Sequence, residues 1–349
     1  MGIDVSDQVL RMVQLHRHGH GFIVYSMSEV ALPENVVVEG EVRNAVSLAK
    51  ALRELIHRPN HHHPSTRAAI LCLPERKTFT KIIDISNSQG ADFQKALQDG
   101  LTENIPMKLD EVYLDWQYVG VPDPKAKMVR VIVGVAPQLL VEGYLEACAQ
   151  AGIIPLALEP ESAALSRIAL NDSSKGGSHL IVDLGATRTG LTIAETDLVA
   201  FSSTLPLSGS GLTATLVTKL GLTPEEGEQA KRVCGLDPKR GKGAVRQVLE
   251  PEFRPLSQKI LESIGYYEDH APKGAEVVDV TLVGGGANLI GLPELITSTV
   301  SLPVRVGKWP ENITVPKREH RAQDSSYLTA LGLAYRGALN LPWENELHV

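Results

Sequence analysis

Short apolar runs alternate along the chain with segments in which apolar residues recur at helical spacing. Between residues 42 and 56 this spacing predicts an amphipathic helix. Continuous runs rich in Val, Ile and Leu predict buried strands at 68–73, 153–158, 180–182 and 277–283. Strands that alternate with helices indicate a mixed sheet covered by helices, so the predicted fold class is α/β.

The order of these elements repeats in the second half of the chain. A first strand begins at residue 2, and paired strands are predicted at 9–16 and 22–31. A second set begins at residue 179, with paired strands at 190–195 and 198–206 around the turn Thr196-Asp197. Helices follow in both halves. The repeated order predicts an internal duplication, with one lobe for each half.

A different pattern lies between the strand at 68–73 and the strand at 153–158. Strands and helices are predicted there at 76–84, 89–104, 112–120, 128–136 and 137–151. We therefore expect a compact α+β unit inserted into the first lobe. The complete division is a first lobe of residues 1–75 and 152–178, an inserted subdomain 76–151, a second lobe 179–324, and a C-terminal helix with a short tail, 325–349, that returns to the first lobe.

Composition narrows the class of protein. With 349 residues, of which 43% are hydrophobic, the chain can bury a core in each of two lobes. The net charge of −7 argues against a general affinity for nucleic acid. The three cysteines lie far apart, which indicates reduced thiols. No segment approaches the roughly 18 apolar residues of a membrane-spanning helix, so we expect a cytoplasmic protein without direct membrane insertion.

Two glycine turns that follow buried strands indicate a binding site. One begins Asp183-Leu184-Gly185, and the other is Gly284-Gly285-Gly286-Ala287-Asn288. Glycines directly after a strand let the backbone approach a ligand closely, and their N–H groups can face phosphate oxygens. Asp183 and Asp4 stand at strand ends, where a carboxylate can hold a metal ion beside the phosphates. Together these features predict a nucleotide cleft between the lobes.

These motifs resemble those of the actin-like ATPase superfamily. The Asp183 turn is similar to its second phosphate loop, Glu159–Leu165 to the helix connecting the lobes, and Gly284–Asn288 to its adenosine loop. Within the superfamily the chain resembles the PilM-type proteins of type IV pilus assembly, relatives of the division protein FtsA. Four stretches carry this resemblance: Gly2-Ile3-Asp4 with Val13-Gln14-Leu15, Leu114–Tyr118, Thr223–Arg232 and Leu328–Ala334.

The resemblance implies an actin-like ATPase fold, with two duplicated RNase H-like lobes around a nucleotide cleft that takes ATP or ADP with Mg²⁺. It implies that Asp4 and Asp183 hold the metal ion and that Glu159 orients the attacking water. The residues implied in nucleotide binding are Ser6, Asp7, Gly185, Ala186, Thr187, Arg188, Gly209, Glu228, Lys231, Gly284, Gly285, Gly286 and Asn288.

Several of these residues have a second interpretation that stays open. Asp4 could be a surface acid at a strand end, and Glu159 could interact only with a helix macrodipole. Glu228 and Lys231 lie three positions apart on a predicted helix and could form a plain surface ion pair. Gly209 could serve only the start of a helix.

The first phosphate loop departs from the family pattern, which is rich in glycine and hydroxyl residues after the Asp. Ser6 and Asp7 occupy the matching positions. The Ser6 side chain would hinder close approach of the backbone, and Asp7 would add negative charge near the polyphosphate. Two unit charges about 4 Å apart interact by roughly 4 kcal/mol at an effective dielectric near 20. Unless a cation or Arg188 compensates, nucleotide affinity decreases, so we expect weak or absent ATPase activity.

The favoured function is a cytoplasmic, nucleotide-binding scaffold of the type IV pilus inner-membrane platform. The resemblance implies a PilN-like bitopic membrane protein as partner, whose N-terminal peptide docks beside the inserted subdomain, and it allows other platform or motor proteins. One alternative is a small-molecule kinase, but the insert offers no Asp base after a Gly pair. The other is an FtsA-like filament-forming division protein, but the tail 340–349 is short, acidic and interrupted by Pro342.

Overall fold

A computed structural model of the chain describes most of its residues. They are residues 1–59, 62–88, 90–105, 107–170, 176–195, 198–271, 274–316 and 324–339. The predicted turn Thr196-Asp197 and the tail 340–349 lie outside them.

The strands agree with the sequence pattern at most positions. They are β1 (Gly2–Val5), β2 (Val9–His18), β3 (Gly21–Ala31), β4 (Val37–Val38), β5 (Glu41–Val42), β6 (Ala68–Leu73), β7 (Phe79–Ser86), β8 (Val112–Tyr118), β9 (Met128–Pro137), β10 (Ile154–Pro160), β11 (Ser178–Leu184), β12 (Thr189–Glu195), β13 (Leu198–Leu205), β14 (Val277–Val283), β15 (Val304–Val306) and β16 (Ile313–Thr314). The pattern did not predict β4, β5, β15 or β16, because each is only two or three residues long.

Helices connect and cover these strands. They are α1 (Ala45–His57), α2 (Ala91–Asn104), α3 (Gln138–Ala151), α4 (Glu161–Ala169), α5 (Gly209–Leu220), α6 (Pro224–Cys234), α7 (Ala244–Leu249), α8 (Arg254–His270), α9 (Leu292–Val300) and α10 (Leu328–Ala338). The predicted helical region 210–270 is thus four helices, and the pattern did not predict α9.

Two sheets share one topology. The first sheet has the order β10-β6-β1-β2-β3-β16, and the second has the order β13-β12-β11-β14-β15. In each, three antiparallel strands (β1-β2-β3 and β11-β12-β13) are extended by two parallel strands (β6-β10 and β14-β15). The first sheet differs only by the added β16. This matching order confirms the predicted duplication into two lobes.

The final helix returns to the first lobe. Helix α10 contacts α4 and also lies across β1, β2 and β6. Close approach requires glycine at both contacts. A Cβ atom on Gly332 would lie 2.1 Å from the carbonyl oxygen of Ala164, and a Cβ on Gly2 would lie 2.3 Å from that of Ala330. The helix that connects the lobes and the last helix of the chain therefore form one packed layer.

The inserted unit is smaller than the sequence predicts. Strands β7, β9 and β8 form a separate three-stranded sheet, and its core includes Val131 and Val133 of β9 and Leu97 and Leu101 of α2. Helix α3 belongs elsewhere, since its buried residues join the first-lobe core with those of α1. By packing, the subdomain therefore ends near Pro137 rather than at residue 151. A helical pattern predicts an apolar face but not which core that face enters.

Candidate functional site

A cleft of about 850 Å³ lies between the two lobes. It is lined by most of the residues that the sequence singled out. They are Asp4, Ser6, Asp183, Gly185, Ala186, Thr187, Arg188, Gly209, Glu228, Lys231, Gly284, Gly285, Gly286 and Asn288. Residues from both ends of the chain thus meet at one site, as the paired glycine turns predicted.

Glu159 does not line the cleft. Its carboxylate is buried and accepts hydrogen bonds from Arg167 at 2.8 and 3.0 Å and from Arg336. Two residues later, Glu161 begins α4 and does line the cleft. The expectation that Glu159 faces bound nucleotide is therefore wrong. Glu161 is the carboxylate that this connection places there.

Asp7 is also absent from the cleft lining. Its Oδ1 accepts a hydrogen bond from the backbone N–H of Gly40 at 2.8 Å, so the carboxylate stabilises the loop at the end of β4. The Asp7 carboxylate therefore does not line the cleft, but its negative charge still acts on Arg188, which does. Ser6 does line the cleft, and its hydroxyl donates to the carbonyl of Val9 at 2.8 Å, which closes the first loop on itself.

The glycine turn after β14 approaches the end of β11 closely. Gly284 has a φ of 80°, and a Cβ there would lie 2.3 Å from Oδ1 of Asp183. A Cβ on Gly286 would lie 2.7 Å from the Cβ of Leu184. A Cβ on Gly285 would meet no protein atom within 4 Å, so this position opens into the cleft. The three glycines therefore differ in purpose: two allow close strand packing, and one leaves room for a ligand.

The glycine turn after β11 is held against the start of α5. The N–H of Gly209 donates to the carbonyl of Gly185 at 3.0 Å, and the N–H of Ser210 donates to the carbonyl of Ala186 at 3.0 Å. Ser208 caps the helix by accepting from the N–H of Gly211. These bonds fix the loop that follows Asp183 before any ligand binds. Gly209 thus starts a helix and also lines the cleft.

Acidic groups concentrate at the deep end of the cleft. Ligand atoms of Asp4, Cys72 and Glu161 all lie within 4.8 Å of one another. Burial, reinforced by the charge of Glu161, raises the pKa of Asp4 to about 6 and that of Asp183 to about 7. Oxygen ligands of this kind suit a hard divalent cation. Asp4, one of the two residues that the resemblance implies as metal ligands, belongs to this group together with Glu161, whereas Asp183 lines the same cleft outside it.

Two arginines face these acids. Arg188 donates from one Nη to both carboxylate oxygens of Glu161, at 2.6 and 2.5 Å. Arg11 lies opposite Asp4 in the β1–β2 register and pairs with Glu29 at 2.7 Å. The sequence pattern did not indicate that Arg11 and Glu161 line the cleft. The hairpin register of β1 and β2 is the signal that could have located Arg11.

Next to the start of α5, the cleft wall carries several polar side chains that are hydrogen-bonded to one another. Lys231 lies 2.7 Å from the carboxylate of Glu228 and also donates to the hydroxyl of Thr213 and the carbonyl of Gly209. Partial burial opposes ionisation of Glu228, but hydrogen bonds from Lys231 and Thr213 outweigh it and lower its pKa to about 2. Asn288 donates to Asp324 at 2.8 Å beside this group. The Glu228–Lys231 pair is therefore part of the cleft wall rather than an isolated surface pair.

Comparison with known proteins identifies the family. Residues 2–338 match the family described as type IV pilus assembly protein PilM. The chain belongs to the PilM family. Its fold is similar to that in a PilM–PilN type IV pilus biogenesis complex, with a TM-score of 0.81 and 23% identity over 97% of this chain and 98% of that one.

The fold also occurs in other actin-like proteins. The ethanolamine utilization protein EutJ of Carboxydothermus hydrogenoformans has a TM-score of 0.56 and 17% identity over 95% of this chain and 88% of its own. An MreB protein of Spiroplasma citri bound to ADP has a TM-score of 0.54 and 13% identity over 96% of this chain and 94% of its own. These similarities confirm the predicted actin-like ATPase fold.

The part of this PilM-family protein that the structure describes contains no helix with the length and apolar character of a membrane span.

Proposed function

We propose that this PilM-family protein is a nucleotide-binding scaffold of type IV pilus assembly that docks the N-terminal cytoplasmic peptide of a PilN-like membrane protein. Membership in the family assigns the chain to pilus assembly rather than to cell division or small-molecule phosphorylation. Docking on a bitopic partner would hold the protein at the cytoplasmic face of the inner membrane.

The cleft fits ATP or ADP. Its volume of about 850 Å³ lies within the usual range of small-molecule sites, roughly 300–1,000 Å³. The open position at Gly285 leaves room for an adenosine, and Lys231 supplies a cation in the same cleft, against Gly209. Asp4, Asp183 and Glu161 would hold Mg²⁺, which would neutralise charge on the phosphates. Open space at Gly285 together with carboxylates that suit a divalent cation supports a nucleotide in the cleft.

Turnover of bound ATP would be slow or absent. Among the cleft carboxylates, Glu161 is the candidate for the water-orienting role that the resemblance implies for Glu159. However, both of its oxygens accept hydrogen bonds from Arg188. Both oxygens are thus directed at the guanidinium rather than at a water molecule. This arrangement supports a scaffold whose nucleotide is retained rather than rapidly hydrolysed.

The observation that carries the docking proposal is a group of exposed apolar side chains around α3. Tyr113, Leu139, Ile154 and Leu156 are 48%, 86%, 60% and 48% exposed. They lie on α3 itself and on β8 and β10, the edge strands of two different sheets that both contact α3. We call these four residues the α3 surface. An extended peptide can add backbone hydrogen bonds at a sheet edge while its apolar side chains contact such a surface.

A binding experiment tests this assignment. The probe is a synthetic peptide with the first 15 residues of the PilN-like protein encoded in the same genome, labelled for fluorescence anisotropy. We expect micromolar affinity, because ordering a short peptide consumes part of the interaction energy. Leu139→Asp and Leu156→Asp should each weaken binding at least tenfold.

The control is Leu261→Asp on α8. Leu261 is 47% exposed, comparable to Leu156, but lies in the second lobe. This variant should bind the peptide with unchanged affinity. Equal affinity in wild type, Leu139→Asp and Leu156→Asp would place the dock elsewhere.

A further inference from the structure

The Arg188 guanidinium holds the position of a counter-ion among the cleft acids. It belongs to the turn between β11 and β12 in the second lobe, whereas its partner Glu161 begins α4. Both side chains are only 15% exposed. The pair therefore crosses the deep end of the cleft and is largely shielded from water, where a charge interaction is stronger than at the surface.

One guanidinium serves three carboxylates. Arg188 bonds Glu161 directly, and its charge also favours ionisation of Asp4 and Asp183. The ligand atoms of Asp4 and Glu161 lie within 4.8 Å of one another, as they would around a bound divalent ion. Formally, the three carboxylates and the Arg188 guanidinium carry a net charge of −2. The group therefore still attracts a metal cation, but the positive charge of Arg188 repels it.

We propose that Arg188 takes the place of the divalent cation when nucleotide is absent, so that metal binds tightly only together with the phosphates. This inference rests on the proposed nucleotide function. A metal ion entering alone must either displace the guanidinium from Glu161 or share the acids with its positive charge. A polyphosphate offers Arg188 another anionic partner, because the planar fork of donors suits phosphate as well as carboxylate.

The consequence is a reciprocal coupling between metal and nucleotide. Phosphates that draw Arg188 away free Glu161 for the metal, and the metal offsets the acids that repel the phosphates. If nucleotide tightens metal binding by some factor, metal must tighten nucleotide binding by the same factor. Removing the guanidinium should increase metal affinity without nucleotide and thereby reduce the coupling.

The test is a Mn²⁺ titration of the nucleotide-free protein, with free Mn²⁺ followed by electron paramagnetic resonance. Arg188→Gln should bind Mn²⁺ at least tenfold more tightly than wild type, and Arg188→Lys should resemble wild type because it retains the charge. With ADP present, Mn²⁺ affinity should rise at least tenfold in wild type and by less in Arg188→Gln. Circular dichroism of each protein checks the fold.

The outcomes separate this inference from the nucleotide assignment. Equal Mn²⁺ affinity of nucleotide-free wild type and Arg188→Gln overturns the counter-ion role, even if both bind ADP with Mn²⁺. Failure of both to bind ADP with Mn²⁺ contradicts the nucleotide function, while the nucleotide-free titration still decides the role of Arg188. If Arg188→Gln is unfolded without metal, refolding on addition of Mn²⁺ supports the inference, and a chain that stays unfolded at millimolar Mn²⁺ overturns it.

Discussion

Gly284 packs so closely on Asp183 that a Cβ atom at Gly284 would lie 2.3 Å from Oδ1 of that carboxylate. Asp183 lies on β11, and Gly284 directly follows β14, the parallel neighbour of β11 in the second lobe. This close contact brings the two glycine turns together at one site, because the turn after β14 packs against the acid near the end of β11. The neighbouring Gly285 makes no such contact, and this difference can be tested.

Gly285→Val should abolish nucleotide binding without destabilising the protein. A Cβ at this position meets no protein atom within 4 Å, so the branched side chain would project into the cleft. Isothermal titration calorimetry with ADP and Mg²⁺ measures the loss, and thermal melting checks the fold. The matched comparison is Gly284→Ala, which should lower the melting temperature because it combines the 2.3 Å contact with a φ of 80°. Unchanged ADP affinity in Gly285→Val would contradict the placement of adenosine.

ATP turnover should be far slower than about 1 s⁻¹, a rate at the lower end for enzymes. Ser6 closes the first loop on Val9, and Arg188 engages Glu161. Ser6→Gly should tighten ATP binding by opening the loop. Asp7→Ser should not, since Asp7 bonds Gly40 rather than facing the cleft. A phosphate-release assay on wild type measures the rate, and turnover at or above about 1 s⁻¹ would show that the loop does not limit the reaction.

The contribution of Asp4 and Asp183 to the stability of the metal-free, nucleotide-free protein should fall as pH rises from 5 to 8. The folded pKa values of Asp4 and Asp183 are raised to about 6 and about 7, whereas an unfolded Asp titrates near about 4. A raised folded pKa gives stability that is complete below the unfolded pKa and is lost as pH passes the folded pKa.

Thermal melting at pH 5.5 and pH 8 measures this effect, which is about 2–4 °C for each kcal/mol in proteins of roughly 150–250 residues and less in a longer chain such as this one. Asp183→Asn should make the change in melting temperature from pH 5.5 to pH 8 more positive than in wild type, because it removes a contribution that decreases as pH rises. Mg²⁺ with ADP should favour the ionised carboxylates and so reduce the fall. Glu228, with a pKa of about 2, acts only at lower pH. Burial lowers the pKa of the Met1 amino group to about 6, which adds stability as pH rises from 6 to 8 and opposes the two Asp residues, so the comparison of wild type with Asp183→Asn is the decisive one. A melting temperature that rises between pH 5.5 and pH 8 in wild type but not in Asp183→Asn would contradict the sign.

Glu159→Ala should destabilise the protein and leave nucleotide affinity unchanged. Its carboxylate is 5% exposed and pairs with both Arg167 and Arg336, so its loss leaves two largely shielded cations without this acid. Breaking a buried pair from one side costs about 3–5 kcal/mol. Urea unfolding measures the loss, and calorimetry with ADP measures the affinity. Normal stability with lost nucleotide binding would instead restore Glu159 to the cleft.

Excision of residues 79–135 removes Tyr113 and the edge strand β8, so it should weaken docking of the PilN-like peptide at least tenfold while nucleotide binding persists. Phe79 and Val135 are cross-strand partners, so their Cα atoms lie about 5 Å apart and two glycines can join the cut ends. Helix α3 stays, because its buried residues belong to the first-lobe core. Deletion through residue 151 is the informative contrast, since it should unfold the lobe. Retained peptide binding by the folded 79–135 excision would locate the dock outside the inserted sheet.

Local pattern in the sequence determined the elements and their repeated order. The runs at 68–73 and 277–283 are strands with those bounds, because a buried strand needs consecutive β-branched and apolar residues whatever surrounds it. The glycine turns were equally readable, since the backbone approach that Gly284 allows is excluded for any side chain. The duplication followed from the order of elements alone.

Only the tertiary structure decided which side chains face the cleft. Glu159 and Glu161 are two residues apart, but β10 ends between them, so period and spacing cannot tell which carboxylate points inward. Arg336, 177 residues away from Glu159 along the chain, donates a hydrogen bond to Glu159, whereas Arg188 donates to Glu161. Asp7 and α3 follow the same principle, because their partners, Gly40 and α1, come from separate segments. Strand and helix are properties of a local segment, whereas the direction of a charge depends on contacts that exist only once distant segments have packed together.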